Sequence, residues 1–136
     1  MKNIEHLICP VCHKPLLKKE KSLACKNSHS FDIAGKGYVN LLLSKDKNSK
    51  DPGDNKDMAK ARKRFLDKGY YKLLADGLCD LFSQKIKSRD DNPVLLDAGC
   101  GDGYYTDCIG KSLQKTLINC SIYGIDISKE AIRLAA

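Results

Sequence analysis

Apolar residues are spaced in different ways along this chain, and the change of spacing separates its parts. Residues 1–43 hold short apolar pieces among turn residues, lysines and cysteines. The segment 44–57 (SKDKNSKDPGDNKD) has almost no apolar residue and contains a Pro-Gly pair, which predicts a linker or exposed loop. From residue 58 onward the spacing is first helical and then strand-like. The pattern predicts an N-terminal module, a linker and an α/β part.

Two helices are predicted after the linker. Asp54 or Asn55 can cap the first helix, and Gly69 can end it. Its apolar residues at rough helical spacing are Met58, Ala61, Phe65 and Leu66. A second helix is predicted from Tyr70 to Ile86, and the run 90–93 (DDNP) should break it. The residues expected on or near one apolar face of that helix are Leu73, Leu74, Leu78, Leu81, Phe82 and Ile86.

The last third of the chain alternates between strand and helix patterns. Residues 94–97 (VLLD) predict a buried strand, and a glycine-rich turn follows at once. A helix is expected over 103–113 and a second strand over 121–125. Ser128 can cap a final helix, within which the sequence ends. This order predicts the opening of a parallel α/β sheet.

Composition narrows the class of protein. The chain has 136 residues, of which 42% are hydrophobic and 30% charged, as in a globular protein. It has no apolar N-terminal stretch, so we expect no signal peptide and no membrane span. A cytoplasmic location is therefore favoured. In that reducing compartment its seven cysteines are expected to be metal ligands or buried thiols rather than disulfides.

The net charge of +7 is unevenly distributed. Residues 1–50 contain 10 lysines against 4 acids, whereas residues 93–136 contain 4 basic residues against 5 acids. This asymmetry predicts a polyanion partner for the N-terminal module and a small ligand for the C-terminal part. Ordinary solvated lysines are the alternative interpretation.

Four residues have the spacing of a zinc site. Cys9 and Cys12 are separated by two residues, Cys12 and Cys25 by twelve, and Cys25 and His29 by three. Zinc prefers four such ligands in a tetrahedron, and two short-gap pairs joined by a hairpin over 15–23 supply them. In a module this small, metal binding is expected to provide the folding energy.

The cysteines also allow other interpretations. A disulfide pair or a redox CxxC is the alternative to zinc, but the βαβ pattern of thioredoxin-like proteins is absent around Cys9 and Cys12. His13 is a strained substitute for His29 because it directly follows a ligand, and His6 is expected at the surface. The cysteines without paired spacing, expected to be buried or half-buried thiols, are Cys79, Cys100, Cys108 and Cys120.

The glycine-rich turn lies between the predicted strand and helix, where such motifs bind nucleotide-like ligands. Its residues are Asp97, Gly99, Gly101, Asp102 and Gly103. In a dinucleotide motif of the form GxGxxG, the third glycine would fall on Tyr104. The acid that precedes the glycines, Asp97, would repel a pyrophosphate but suits an amino group or a sulfonium. A further acid, Asp126, ends the second strand, where ribose hydroxyls are typically bound. A purely structural turn is the alternative.

Five motifs occur in this order: the zinc spacing, FDIAGKGYVNLL at 31–42, DPGD at 51–54, ARKRFLDKGYY at 61–71 and LDAGCGDGYYT at 96–106. Together they resemble the bacterial 23S rRNA guanine-N1 methyltransferases, including relatives that give resistance to macrolides such as tylosin. The resemblance runs from Cys9 to Ala136.

The resemblance implies S-adenosylmethionine and zinc as cofactors, 23S rRNA as partner, and a class I Rossmann-like fold. The implied zinc ligands are Cys9, Cys12, Cys25 and His29. The implied cofactor-binding residues are Tyr71, Asp97, Gly99, Gly101, Asp102, Gly103 and Asp126. Without the resemblance, Tyr71 would be interpreted as a core aromatic of a helix. No residue is a credible general base, so the catalytic residues stay unassigned.

The implied organisation is a zinc module for RNA recognition over 1–43, a linker over 44–57, a helical connector over 58–92 and the start of the methyltransferase domain over 93–136. Family members are about twice this long, so the resemblance implies an N-terminal fragment that is inactive alone. The alternatives are a zinc-dependent RNA-binding module without catalysis, a dinucleotide oxidoreductase with a zinc appendage, and a methyltransferase of another substrate. A homodimer is left open.

Overall fold

The computed structural model describes residues 4–46, 52–87 and 92–136. They form two compact units, one ending at Pro52 and one covering Gly53–Ala135. Part of the predicted linker, including Asp51 of the DPGD motif, lies outside the described residues, and so does the Asp90-Asp91 helix break. Among the described residues, no helix is long and apolar enough to cross a membrane.

The first unit contains a three-stranded antiparallel sheet in the order β1-β2-β3. Its strands are β1 (Leu17–Lys18), β2 (Ser22–Ala24) and β3 (Ser30–Asp32). β1 and β2 pair as Leu17↔Ala24, which confirms the predicted hairpin. β3 was not predicted, because three residues are too few to show an alternating pattern. A 3₁₀ helix, Ser44–Asp46, follows the sheet.

The hydrophobic core of the first unit is small. Its buried residues are Cys9, Leu16, Leu23 and Cys25, and half-buried side chains such as Phe31 surround them. Two of these four are predicted zinc ligands. A core of this size buries too little apolar surface to stabilise the unit by itself, so we expect the unit to depend on a bound metal.

The second unit is built on two parallel strands, β4 (Val94–Ala98) and β5 (Ser121–Ile125). They are joined by α3 (Tyr104–Lys115), and α4 (Lys129–Ala135) follows β5. α3 packs closely on the sheet, where a Cβ on Gly110 would lie 3.3 Å from the Ile122 Cδ1 atom. The predicted order of strand, helix, strand and helix is therefore confirmed.

Two helices precede this sheet, α1 (Lys56–Asp67) and α2 (Lys72–Lys87). Asn55 caps α1, since its Oδ1 atom accepts hydrogen bonds from the backbone N–H groups of Asp57 and Met58, both at 3.0 Å. Gly69 follows α1 with a left-handed φ of 80°. α1 packs against α4, and α2 packs against α3.

The predicted apolar faces of these helices are only partly correct. In α1 the buried residues are Ala59 and Leu66, whereas the Met58 side chain is 52% exposed and Phe65 is 46% exposed. Among the described side chains of α2, Ala75 is buried and Leu73 is 89% exposed. Periodicity identifies a helix face, but it does not specify which neighbouring element covers that face.

Two glycines with the same backbone conformation provide a test of packing in the second unit. Gly53 and Gly69 have φ of 78° and 80°. A Cβ on Gly53 would lie 3.0 Å from the Ile127 Cγ2 atom and 3.1 Å from the Ser128 backbone nitrogen, but one on Gly69 would meet nothing within 4 Å. Gly69→Ala is expected to lower the free energy of unfolding by about 1 kcal/mol through backbone strain alone.

Gly53→Ala is expected to cost about 2–3 kcal/mol, because a steric term adds to the same strain and a backbone nitrogen cannot rotate away as a side chain can. Urea denaturation of both variants, followed by circular dichroism, measures the difference. Equal losses for the two variants would contradict this packing of the loop against the start of α4.

Candidate metal centre and cofactor pocket

The four predicted zinc ligands lie together in the first unit, with their ligand atoms all within 4.8 Å of one another. The Nδ1 atom of His29 is 3.5 Å from the Cys9 Sγ atom and 3.4 Å from the Cys25 Sγ atom, and the Cys12 and Cys25 Sγ atoms are 3.6 Å apart. Tetrahedral zinc, with bonds of about 2.3 Å to sulfur and about 2.0 Å to nitrogen, separates its ligands by about 3.8 Å and 3.5 Å. These three separations therefore match those of tetrahedral zinc.

Each ligand pair lies on a tight backbone turn. The His13 N–H donates to the Cys9 carbonyl at 2.8 Å, and the Ser28 N–H donates to the Cys25 carbonyl at 3.0 Å. Both of these turn residues have a left-handed backbone, with φ of 56° for His13 and 63° for Ser28. His13 thus forms the turn, and it is not in the ligand cluster.

The Cys25 thiol is prepared for metal binding. Burial raises the pKa of the Cys25 thiol, but hydrogen bonds from the backbone N–H groups of His29 and Asn27 lower it, and the lowering is the larger effect. The pKa of Cys25 is therefore about 6. The thiolate, which is the form that binds zinc, is therefore accessible at neutral pH.

A second site lies in the other unit, at the carboxyl end of β4. It is a cavity of about 550 Å³, within the usual size of a small-molecule site. α1, the glycine-rich loop and the beginning of α4 form its walls. The predicted cofactor residues that line it are Tyr71, Gly99, Gly101, Asp102 and Asp126.

Backbone hydrogen bonds tie the glycine-rich loop to the end of β5. The N–H groups of Gly99 and Cys100 both donate to the Ile125 carbonyl, at 2.8 and 2.9 Å. Asp126 then accepts from the Gly101 N–H at 2.9 Å and from the Ser128 N–H at 2.7 Å, one on each carboxylate oxygen. Each oxygen keeps a lone pair for a ligand hydroxyl.

The glycines of the loop have two different roles. Gly99 and Gly101 have left-handed φ of 89° and 57°, and a Cβ on either would meet nothing within 4 Å, which leaves room for a ligand to approach the backbone. Gly103, with φ of 80°, does not line the cavity, and a Cβ there would lie 3.0 Å from the Ala135 Cβ atom. Its lack of a side chain is needed for packing against α4.

The Asp102 carboxylate is buried and incompletely hydrogen-bonded. Its side chain is only 7% exposed, and its Oδ1 atom accepts a long hydrogen bond of 3.4 Å from the Tyr104 N–H. Its Oδ2 atom is buried and has no hydrogen-bond partner among the described residues. An unpaired buried carboxylate oxygen is costly, so this oxygen fits a cationic or hydrogen-bond-donating ligand.

Asp97, the remaining predicted cofactor residue, lies outside the cavity lining. It accepts a hydrogen bond of 2.5 Å from the Thr106 hydroxyl, which ties the end of β4 to α3. Its role as a cofactor contact, like that of Gly103, stays a prediction.

Cys100 lies in the cavity wall but is not a nucleophile. Burial, followed by the nearby carboxylates of Asp97 and Asp126, raises the pKa of its thiol to about 11. It therefore stays protonated at neutral pH. The other unpaired cysteines, Cys79, Cys108 and Cys120, are half-buried, as predicted.

Sequence reasoning missed the contribution of α1 to the pocket. Ala59, Arg62 and Phe65 line the cavity, and the Arg62 Nε atom donates to Asp54 at 2.9 Å. This ion pair with Asp54 raises the pKa of Arg62, with smaller contributions from Asp102 and Asp126. The helical spacing was visible in the sequence, but its relation to a loop some 40 residues away was not.

Known proteins match this chain along nearly its whole length. Residues 7–50 match the zinc-ribbon family described as RlmA, N-terminal. The 23S rRNA (guanine(748)-N(1))-methyltransferase of Streptomyces fradiae is 32% identical over 133 residues, which cover 98% of this chain and 45% of the relative. A putative 23S rRNA (guanine-N(1)-)-methyltransferase of Micromonospora griseorubida is 33% identical over 148 residues, covering 98% of this chain and 48% of the relative.

A third relative, the putative 23S rRNA (guanine-N(1)-)-methyltransferase YxjB of Bacillus subtilis (strain 168), is 31% identical over 137 residues, covering 94% of this chain and 44% of the relative. The chain thus spans about half the length of the curated relatives it matches. The matches agree with the motifs in both units and with the geometry of the metal centre. The first unit is a zinc ribbon, and nearly the whole chain is similar to about half of the length of 23S rRNA (guanine-N1)-methyltransferases.

Proposed function

We propose that this chain carries the zinc ribbon and the cofactor-binding start of an enzyme that transfers a methyl group from S-adenosylmethionine to N1 of a guanine in a 23S rRNA hairpin loop. The names of the relatives support the reaction. The observation that carries the cofactor is the unpaired, buried Asp102 oxygen beside two glycines that open onto a cavity.

The pocket residues fit this cofactor in chemical terms. Asp102 would accept hydrogen bonds from the ammonium of its amino-acid end, and Asp126 from the ribose hydroxyls. Gly99 and Gly101 would allow the close approach, and Tyr71 would bound the cavity. The carboxylates also disfavour a pyrophosphate, which argues against NAD. Asp97 and Gly103 would hold the loop in position.

When bound, the cofactor supplies an electrophilic methyl group, so the protein needs no covalent nucleophile. The protonated Cys100 thiol agrees with this requirement. The chain would contribute by orienting the cofactor and excluding water, and the whole enzyme must align guanine N1 with the methyl group and accept the N1 proton. Asp102 and Asp126 are engaged in binding, so no general base is assigned.

In this proposal residues 1–43 recognise rRNA, residues 44–57 and 58–92 connect the two parts, and residues 93–136 begin the methyltransferase domain. The protein would act in the cytoplasm, where ribosomal RNA is modified. The lysine excess of residues 1–50 supports contact with a polyanion.

Deletion of the gene in its source organism tests the proposal. N1 lies on the Watson–Crick edge of guanine, so a methyl group there stops reverse transcriptase during primer extension on 23S rRNA. The stop at one hairpin-loop guanine is expected to disappear on deletion and to return with the wild-type gene or with Asp107→Ala, an exposed aspartate outside the cavity. Asp126→Ala should not restore it.

Primer-extension stops that are unchanged by deletion would contradict the proposed reaction. Unchanged stops together with zinc-dependent binding to 23S rRNA would support an RNA-binding module without catalysis. Immunoblots of the complementing variants control for protein level, since loss of the protein would imitate loss of the cofactor site.

A further inference from the structure

Four cations line the exposed side of α1 and its C-cap. Lys56, Lys60, Arg64 and Lys68 follow one another at intervals of four residues, and all four are exposed. The buried residues of the helix, Ala59 and Leu66, face away from Lys60 and Arg64, and the exposed Asp57 lies on the side of the cations. At 1.5 Å per residue this cationic face is about 18 Å long.

Local stability does not account for this face. Like charges four residues apart destabilise a helix by about 0.2–0.5 kcal/mol per pair, and the face contains three such pairs in succession. Several other cations of the unit have acidic partners: for example, Lys63 pairs with Asp67 at 3.2 Å and Lys72 with Asp76 at 2.6 Å. Within the described residues, none of the four cations of the face makes an ion pair.

The surroundings of the face indicate which polyanion it binds. Tyr70, just beyond its C-terminal end, is 65% exposed, and its ring centroid lies 5.0 Å from that of Phe65, which also contacts Tyr71 at 5.7 Å. Exposed aromatic rings beside cations are the usual platform for RNA bases. A membrane surface is disfavoured, because the apolar side of α1 is already packed against α4.

We propose that the cationic face of α1 binds the phosphate backbone of the substrate RNA at the rim of the cofactor pocket. The same helix lines that pocket through Ala59, Arg62 and Phe65. A strand held along its outer side would therefore be anchored next to the place of methyl transfer. The identity of the RNA rests on the proposed function, whereas the polyanion site rests on the charges alone.

Fluorescence anisotropy with a labelled 23S rRNA hairpin, titrated over a range of salt concentrations, tests the site. K60Q/R64Q removes two unpaired cations of the face, and K63Q/K72Q removes two cations that are paired with acids, so both variants lose the same charge. Each lost phosphate contact lowers the slope of log affinity against log salt by about 0.7. K60Q/R64Q is therefore expected to lower the slope by about 1.4.

With that slope change, the affinity gap to wild type widens by about 25-fold for every tenfold reduction in salt. K63Q/K72Q should leave the slope within error of wild type. K56Q/K68Q, which removes the two ends of the face, provides a second and independent variant with the same expected slope change. Circular dichroism should show all three variants folded. K60Q/R64Q and K56Q/K68Q remove like charges four residues apart, which does not destabilise a helix. K63Q/K72Q loses two exposed ion pairs, each of which contributes about 0.3–0.5 kcal/mol.

Equal slope changes in K60Q/R64Q and K63Q/K72Q would overturn the inference, because net charge alone would then explain them. An unchanged slope in K60Q/R64Q would also overturn it, as would a wild-type chain that does not bind the hairpin. Calorimetry with S-adenosylhomocysteine on the same samples separates this inference from the proposed function. If K60Q/R64Q binds both the cofactor and the RNA as the wild type does, the RNA-binding role of the cationic face is refuted and the proposed function is not.

Discussion

Removal of zinc is expected to unfold the first unit while the second unit keeps its fold. The core around Cys9 and Cys25 is too small to be stable alone, and structural zinc contributes about 10–16 kcal/mol of apparent binding energy in zinc-finger peptides. Addition of a chelator, or the substitution Cys9→Ser, should shift the amide NMR signals of residues 4–46 to the narrow chemical-shift range of an unfolded chain. The signals of residues 92–135 should keep their dispersion.

Cys120→Ser provides the matched control, because Cys120 is half-buried and lies outside the ligand cluster. It should retain one zinc per chain in a colorimetric assay, whereas Cys9→Ser should retain almost none. Native NMR dispersion of residues 4–46 after complete removal of zinc would show that the metal is not needed for this fold.

Asp102→Asn is expected to weaken cofactor binding without lowering the free energy of unfolding. A hydrogen bond to a charged group contributes about 1.5–3 kcal/mol, so the affinity for S-adenosylmethionine should fall about 10- to 150-fold. The free energy of unfolding without cofactor should stay equal or rise, because the buried Oδ2 atom of Asp102 has no partner and its charge is costly to bury. Calorimetry and urea denaturation measure the two effects.

Asp107→Asn is the control for that substitution. Asp107 is exposed and pairs with Lys111 at 2.6 Å in the same helix, so its loss should change both stability and cofactor affinity very little. A destabilised Asp102→Asn protein with normal cofactor affinity would mean that Asp102 supports the loop rather than the ligand.

Local chemistry explains which features the sequence predicted. The spacing of Cys9, Cys12, Cys25 and His29 was sufficient because zinc dictates ligand number and the two turns are short. The helix caps at Asn55 and Ser128 were also predictable, since each side chain accepts hydrogen bonds within three residues along the chain. The strands at 94–98 and 121–125 were visible as short apolar runs.

Features that depend on contacts distant in sequence were not predictable. The Ser128 hydroxyl donates to the Asp54 carbonyl at 2.6 Å, across 74 positions, and brings the start of α1 to the start of α4. Nothing in either segment alone signals this contact. This contact determines which side of α1 faces inward. The burial of Ala59 in place of Met58 follows from it, and so does the exposure of the cationic face.

The charge counts also concealed the cationic face. Residues 51–92 hold 10 basic residues against 8 acids, so their net charge of only +2 does not single out this segment. In the structure Asp67 pairs with Lys63 and Asp76 pairs with Lys72. Among the described residues the four cations of the face form no ion pair, although the exposed Asp57 lies three residues before Lys60. Spatial segregation, rather than net charge, defines the surface.

Titration of the chain with S-adenosylmethionine and, separately, with NAD tests the central claim most directly. Calorimetry is expected to show one molecule of S-adenosylmethionine bound per chain, and to show at least 10-fold weaker binding by Asp102→Asn and no measurable heat with NAD at the same concentration. Tighter binding of NAD, or no binding of S-adenosylmethionine, would contradict the assignment of the loop between β4 and α3 as a methyl-donor site.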